Sequence, residues 1–405
     1  MVTRKIAYII SRFPVLTETF ILGEIEEVRR RGVEVEVFSL HNVKLGEITH
    51  YKLLELVNST LYLPFFLSLK VWKAGFFYFT TEPFCTFKIL IKIVRTHLTN
   101  PILLLKCLVV FPKALLIAKM LKDMKITKVH AHWATVPTTV AWIISKLNGF
   151  NFTFTAHAWD IFKVDTMLED KMHAADQIIT CTNFNKKYLL EKFPNISSDK
   201  ITVIYHGLDF KRFSPSIKRQ NSIFTILSVG RLNEKKGLHH LLEACQVLRE
   251  KGIPFHCQII YVNGDFKKEI FRLYHKLGLE DYVQFIPEIP QEELVKYYKD
   301  ADCFVLPCTV AEDGDRDGIP NVIIEALAME LAVVTTSVSG IPEVVKDRQT
   351  GLVVQPGNVE EIASAIEKLC GDRELRNMLG RSGRQMVCQQ FDISTNVERL
   401  LKHIL

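Results

Sequence analysis

Several features that would settle the chemistry at once are missing from this sequence. Its nine cysteines form no C-x-x-C pair and have no metal-like spacing with histidine. That argues against a zinc site or a disulfide scaffold, and for free or buried thiols in a reducing compartment. Within residues 51–130 no window holds about 18 uncharged apolar residues, so a spanning helix is not expected. The opening run M-V-T-R-K-I-A-Y-I-I-S-R regains charge at Arg12. Its apolar stretch is too short for the core of a secretory signal and alternates as a strand does. The D-x-D triplets near the candidate site, D-G-D at 313–315 and D-R-D at 315–317, overlap on one loop, and the D-G-D run reads as solvent-facing. Nothing in the first half singles out a nucleophile.

What is present is a chain of 405 residues, 48% hydrophobic and 24% charged, long enough for two domains with cores of their own. The formal charge of +6 conceals an asymmetry. Residues 1–210 hold 26 basic and 18 acidic residues, whereas the remainder holds 25 against 27. The excess is concentrated in residues 51–130, with 12 basic and 3 acidic side chains among Phe, Trp and Leu. Such a mixture fits a segment lying on an anionic membrane surface. The ordinary alternative is a helical core insertion whose lysines reach out to water. No recognised nucleic-acid module accompanies the charge, so no nucleic-acid partner is expected.

Strand-like and helical patterns alternate from end to end. K-I-A-Y-I-I-S, a helix over about 18–31 and V-E-V-E-V-F-S-L come first. After the basic insertion follow K-V-H-A-H-W, a helix over Thr138–Leu147, F-N-F-T-F-T-A-H, Q-I-I-T-C-T and K-I-T-V-I-Y-H-G. Later strands are predicted at about 223–229, 256–262, 283–286, 303–306, 332–336 and 352–354. This rhythm predicts parallel sheets built from βαβ units, in two doubly wound α/β domains meeting near Asp209–Ser222. Open parallel sheets bind ligands beyond their strand C-termini, so a cleft between the domains is the expected site.

Two clusters mark such strand ends. The run F-T-I-L-S-V-G closes at Gly230 and is followed by Arg231 and then by Lys236 and Gly237. Farther on, D-R-D-G-I-P-N-V-I-I-E leads from a loop into a helix beginning near Asn321, with Asp317 and Glu325 eight positions apart. The free N–H groups of a helix start favour an anion, and an acid one or two turns in can grip a second part of the same ligand. Two cations after one strand and two acids after another suggest a nucleotide-sugar site. Arg231 supplies a planar fork and Lys236 a compact charge, a complement for two phosphates.

The ordered set V-I-Y-H-G-L-D-F-K-R-F, S-V-G-R-L-N-E-K-K-G, the Asp317/Glu325 pair and G-I-P-E-V-V-K-D…T-G-L-V-V-Q-P-G resembles the donor domain of glycosyltransferase family 4, retaining enzymes of the GT-B fold. The first half is similar more loosely, through S-R-F-P-V-L-T-E-T-F, H-A-H-W and F-T-A-H-A-W-D. That opening resembles the branch that builds bacterial exopolysaccharides and other cell-envelope glycans.

The resemblance implies an acceptor-binding domain over 1–209 with a basic apolar insertion at about 51–125, and a donor domain over 210–385. It also implies a last helix, within 386–405, that crosses back to the first domain. Arg231 and Lys236 would bear on the diphosphate, Glu325 on the ribose, and Asp317 with Gly318 and Ile319 on the transferred sugar. Pro320 and Asn321 would open the donor helix, and Gly230 would line it. His157 would approach the donor sugar. Thr17, Glu18, Thr19, His132, Asp160 and His206 would line the cleft or meet the acceptor, while His130 faces the core. No cofactor and no metal are implied.

Two features depart from the family pattern. Asp317 stands where many members have glutamate, and S-R-F-P-V-L-T-E-T replaces a glycine-rich loop, leaving Thr17–Thr19 to cap the first helix. The implied reaction is retaining transfer of a sugar from a nucleotide sugar to a glycan or lipid-linked acceptor. It would take place in the cytoplasm, on the inner face of the membrane. The alternatives on this fold are a sugar-nucleotide epimerase, a phosphorylase and a non-catalytic nucleotide-sugar-binding subunit.

Overall fold

The computed structural model describes residues 4–15, 18–43, 56–65, 67–215 and 223–405. Thr17 and residues 216–222 of the segment joining the two halves lie outside the described residues. The α/β architecture expected from the sequence is present. The chain divides into one unit of residues 1–181, 186–207 and 393–405, and a second of 182–185 and 208–392.

The first unit is built on β1 (Lys5–Arg12), β2 (Glu34–His41), β3 (Thr60–Tyr62), β4 (Lys128–His132), β5 (Asn151–Ala156), β6 (Gln177–Thr180) and β7 (Ile201–Val203). They form one parallel sheet in the order β3-β2-β1-β4-β5-β6-β7. The second unit contains β8 (Phe224–Arg231), β9 (Phe255–Val262), β10 (Val283–Pro287), β11 (Cys303–Leu306), β12 (Ala332–Thr336) and β13 (Leu352–Val354). Its parallel order is β10-β9-β8-β11-β12-β13. Both orders reverse direction beside their first strand, between β1 and β4 and between β8 and β11. A doubly wound sheet opens its ligand crevice at such a reversal, past the strand C-termini.

Helices cover both faces because each βαβ crossover returns the chain across the sheet. In chain order they are α1 (Thr19–Arg30), α2 (Leu69–Thr81), α3 (Pro83–His97), α4 (Pro101–Asp123), α5 (Val136–Asn148), α6 (Trp159–Phe162), α7 (Leu168–Ala174) and α8 (Asn183–Lys192). There follow α9 (Leu238–Glu250), α10 (Lys267–Lys276), α11 (Gln291–Asp300), α12 (Asn321–Ala328), α13 (Ile341–Val344), α14 (Val359–Gly371), α15 (Arg373–Gln390) and α16 (Ile393–Ile404).

Strand period sorts the first unit into two cores. Ile6, Tyr8 and Ile10 of β1 join α1 and α16 on one face, through Ile21, Ile25, Val397 and Leu400. Ala7 and Ile9 face the other way, toward α4 and α5. The basic insertion therefore contributes core: α4 buries Leu103, Cys107, Val110 and Phe111, and Lys113 Nζ donates to the Leu40 carbonyl at 2.8 Å. By length and composition α4 could cross a membrane, with mean hydropathy 2.1 over its best window, yet 56% of that window is buried inside the unit. It is a core helix carrying Lys106 and Lys113 within the apolar run.

The first helix starts differently from the sequence expectation. Glu18 occupies the N-cap position with no side-chain cap, and Thr19 is already the first helical residue. Thr19 therefore caps nothing.

The α16 face provides a stability test. Leu400 is fully buried in the α1–β1 core, so Leu400→Ala should cost about 2–5 kcal/mol. Urea unfolding followed by circular dichroism measures it. A loss below ~0.5 kcal/mol would mean that α16 does not pack there.

Candidate functional site

In the second unit the polar residues gather past β8 and β11, beside the reversal. After β8 the chain makes a short 3₁₀ turn over Glu234–Lys236 and leaves it through Gly237, at φ +65°. A Cβ at Gly237 would stand 1.8 Å from the Pro307 carbonyl oxygen, so only glycine lets the two loops meet. The Gly230 position is roomier: a Cβ there would meet only the Lys236 side chain at ordinary contact distance. The two loops are also joined by Thr309 N–H donating to the Lys235 carbonyl at 2.9 Å.

This close approach brings two lysines against two aspartates. Lys236 Nζ lies 2.6 Å from Asp317 Oδ2, and Lys235 Nζ lies 3.0 Å from Asp315 and 3.4 Å from Asp317. At that distance the Lys236 ammonium makes a charge-assisted contact with Oδ2, and Lys235 adds positive charge beside the same carboxylate, whose two oxygens keep further lone pairs. The contact is an ion pair with spare acceptor capacity. Burial alone would lower the Lys236 pKa, but the Asp317 charge outweighs it and holds the ammonium above its ordinary value. Burial would likewise raise Asp317, and Lys236 and Lys235 reverse that and lower it. Both groups are therefore charged at neutral pH. Arg231, at the tip of β8, is exposed and forms no ion pair among the described residues. The D-G-D run is not solvent-facing throughout: Asp313 is exposed, but Asp315 is drawn in by Lys235.

From Asp317 the chain passes buried Gly318 and enters α12 with Pro320 at the N-cap position and Asn321 first in the helix. Glu325, on the buried face of α12, accepts from Tyr298 Oη at 2.9 Å and from Gln291 Nε2 at 3.2 Å. Gln291 in turn accepts from Arg212 at 2.6 Å. Burial raises the Glu325 pKa, while Tyr298, Gln291 and Arg212 pull it back. Each carboxylate oxygen keeps a further lone pair for a ligand. Lys235, Asp315, Gln291 and Tyr298 were not foreseen from sequence; they meet the site only through the fold.

The first unit gathers histidines at the ends of β4 and β5. Strand alternation puts His130 and His132 on one face. His130 is saturated, Nδ1 on Thr153 Oγ1 at 2.8 Å and Nε2 on Thr155 Oγ1 at 3.0 Å, which fits its core-facing expectation. His132 meets Glu24 at 3.1 Å and His157 at 3.4 Å, and Tyr8 Oη donates to the same Glu24 oxygen at 3.0 Å. His157 stacks on His206 with ring centres 5.2 Å apart and lies 4.3 Å from the Trp133 ring. Its Nδ1 is buried and has no partner among the described residues.

Asp160 is fully buried, and both its oxygens accept backbone N–H groups, from His157 at 2.8 Å and from Ala134. It holds the turns that place His157 and Trp133. Burial pushes its pKa up to about 6. Glu18 and Thr19 sit partly buried at the start of α1.

Among the described residues two clusters bring three possible metal donors together: Glu24 with His130 and His132, and His157 with Cys181 and His206. In the first, His130 is fully engaged by threonines. In the second, the histidine rings are stacked, with 22° between their planes. Nitrogen and sulfur donors also suit a diphosphate-bridging hard cation poorly. We assign neither cluster a metal.

The buried histidines set a pH dependence. Burial holds His130 and His157 well below the ordinary 6.5, neighbouring histidines adding to it. The unfolded chain then binds more protons, so stability is full above about pH 6.5 and falls as the pH drops below it. Urea unfolding between pH 7.5 and 5 should show this slope, and His157→Phe should flatten it. An unchanged slope in the variant would contradict a neutral buried His157.

The chain matches two family models. Residues 17–212 match Glycosyltransferase Family 4, and residues 209–386 match Glycosyl transferases group 1. It is similar to the putative colanic acid biosynthesis glycosyltransferase WcaL of Escherichia coli, 38% identical over 169 residues, covering 42% of this chain and 41% of the relative. It is also similar to the amylovoran biosynthesis glycosyltransferase AmsK of Erwinia amylovora, 36% identical over 173 residues and 42% of each chain. The matched stretch thus spans less than half the length of these curated relatives. The crystal structure of Anabaena HepE in complex with UDP and glucose superposes with a TM-score of 0.71, covering 98% of each chain at 16% identity. At that identity the likeness is one of fold.

Proposed function

We propose that this chain, which belongs to the family 4 glycosyltransferases of GT-B fold, moves a sugar from a nucleotide-sugar donor to a glycan or lipid-linked acceptor with retention of configuration. The observation that carries the reading is the convergence of Arg231, Lys235, Lys236 and Asp317 at the sheet reversal of the second unit. Relatives named for colanic acid and amylovoran synthesis support a role in cell-envelope or exopolysaccharide assembly.

Departure of a nucleoside diphosphate puts negative charge on its oxygens as the anomeric carbon becomes cation-like. Pre-placed cations lower that barrier because they are oriented before the charge appears. Arg231 receives one phosphate with its fork and Lys236 the other with its ammonium, already kept protonated by Asp317. The donor takes over part of the Lys236 contact, and the open acceptor capacity of Asp317 turns to hydroxyls of the sugar. Glu325 offers its remaining lone pairs to the ribose. The N–H groups around Gly318 and Ile319, and the α12 start at Pro320 and Asn321, favour the anionic donor. Gly230 lines the approach.

In the first unit His157, with a free buried ring nitrogen, meets the donor sugar near the reacting centre. His132 and His206 flank it toward the acceptor, and Glu24 and Tyr8 orient His132. The acceptor attacks from the face the diphosphate leaves, and the departing phosphate takes its proton. No metal and no cofactor take part on this reading, and the enzyme works in the cytoplasm against the inner face of the membrane.

Nucleoside diphosphate release from UDP-, GDP- and ADP-sugars, with lipid extract as acceptor, tests the reading. Release from one donor is expected, with kcat/KM lowered about 10²–10³-fold in Lys236→Ala and in Arg231→Ala. Near-normal turnover in both variants would remove these residues from the role, and an inverted product would rule out retention. A chelator should leave the rate unchanged; strict metal dependence would count against cation catalysis by the chain alone.

A further inference from the structure

The three helices α2, α3 and α4 each carry two apolar stripes where a surface helix of a soluble protein needs one. One stripe enters the core: Val71, Ala74 and Tyr78 of α2, Ile89 and Ile93 of α3, Leu103 and Cys107 of α4. The other faces water at helical spacing. On α2 it is Leu69, Trp72 and Phe76; on α3 it is Phe84, Phe87 and Ile91. On α4 Ile102 and Leu105 continue it. Phe84 is 91% exposed, Leu69 77% and Phe76 73%. Most of the large exposed apolar side chains among the described residues belong to this one segment, and a patch of that kind marks an interaction surface.

Charge identifies the partner. Residues 69–123 carry nine lysines and arginines against two acids. Lys92 is spent on Asp170 and Lys119 approaches Asp123. Lys70, Lys73, Lys88, Arg95 and Lys106 form no ion pair among the described residues, and Lys70, Lys73, Lys88 and Lys106 stand between the exposed apolar side chains along the helices. A second copy of this face would bring like charges together, which opposes self-association. Nucleic acid would leave the phenylalanines and leucines unsatisfied. An anionic bilayer meets both demands, since apolar side chains enter the acyl boundary while cations meet the headgroups.

We propose that α2, α3 and α4 form a membrane-docking face, with Trp72, Phe76 and Phe84 inserting among the lipids and Lys70, Lys73 and Lys88 binding anionic headgroups. The core stripes of the same helices stay in the first unit, so the protein docks without unfolding, and α4 stays a core helix. This deepens the membrane-side part of the function proposed above and is independent of the transfer chemistry.

Flotation of the full chain with phosphatidylcholine vesicles, with and without phosphatidylglycerol, tests the face. Wild type should float with the anionic vesicles and release at high salt. The triple variant Trp72→Ser/Phe76→Ser/Phe84→Ser and the triple variant Lys70→Gln/Lys73→Gln/Lys88→Gln should each bind at least about tenfold more weakly. All six positions are exposed, so both variants should keep the wild-type melting temperature, which checks that they fold. Equal flotation of wild type and both variants would overturn the proposal, as would no flotation of wild type. A concentration-dependent dimer lost in the apolar variant would also overturn it, showing that a second copy covers the face. Donor turnover measured in the same samples separates the two readings: absent flotation with intact turnover defeats the docking face alone.

Discussion

The second unit turns on one partly buried contact, the Lys236 ammonium against the Asp317 carboxylate at 2.6 Å. Either charge alone, removed from water, would cost several kcal/mol or lose its ionisation. Together they remain charged where a diphosphate would meet them. The contact exists because two loops, each just past a strand end, come together at a distance only a glycine tolerates. Gly237 is that residue, and its neighbour Pro307 supplies the carbonyl that fills the missing Cβ. Sheet order, loop approach and site charge are thus one arrangement: the reversal between β8 and β11 makes the space, and the lysine–aspartate pair occupies it.

The first unit solves a different problem, that of fixing the orientation of imidazoles in a buried setting. Threonines on β5 saturate His130, Glu24 and Tyr8 fix His132, and Asp160 ties down the turn that presents His157. A neutral His157 with an open ring nitrogen is left beside the stacked His206. Lys171 supports the neighbouring turn after β4, its ammonium bonded to the Ala134 and Thr135 carbonyls and burial pulling its pKa down to about 8. On the proposed reading, the second unit supplies fixed charge for the leaving group.

Most of the fold was legible in the sequence because strand and helix periods are local. The strand predicted near 303–306 is Cys303–Leu306, and the helix expected near Asn321 begins there. The separation of Asp317 from Glu325 across a helix start was visible for the same reason. What escaped depends on contacts between distant segments. Tyr298 and Gln291 occupy Glu325 from a helix whose sequence carries no sign of it. Asp315 looked like a solvent-facing loop acid until Lys235, eighty positions earlier, was found against it. Thr19 read as a cap, but the helix begins one residue too early for that. The basic insertion was read as either membrane surface or core; its helices have one apolar stripe in the core and a second in water.

The central claim is that Lys236 and its partners form a diphosphate site. Calorimetric titration of UDP and GDP into the full chain measures this directly, without acceptor and without turnover. Saturable binding of one nucleotide is expected, weakened at least about tenfold in Lys236→Met, a loss of ~1.4 kcal/mol. Lys251→Met, which removes a surface ion pair to Glu367, should leave the affinity unchanged. Equal affinity of wild type and Lys236→Met would contradict the account.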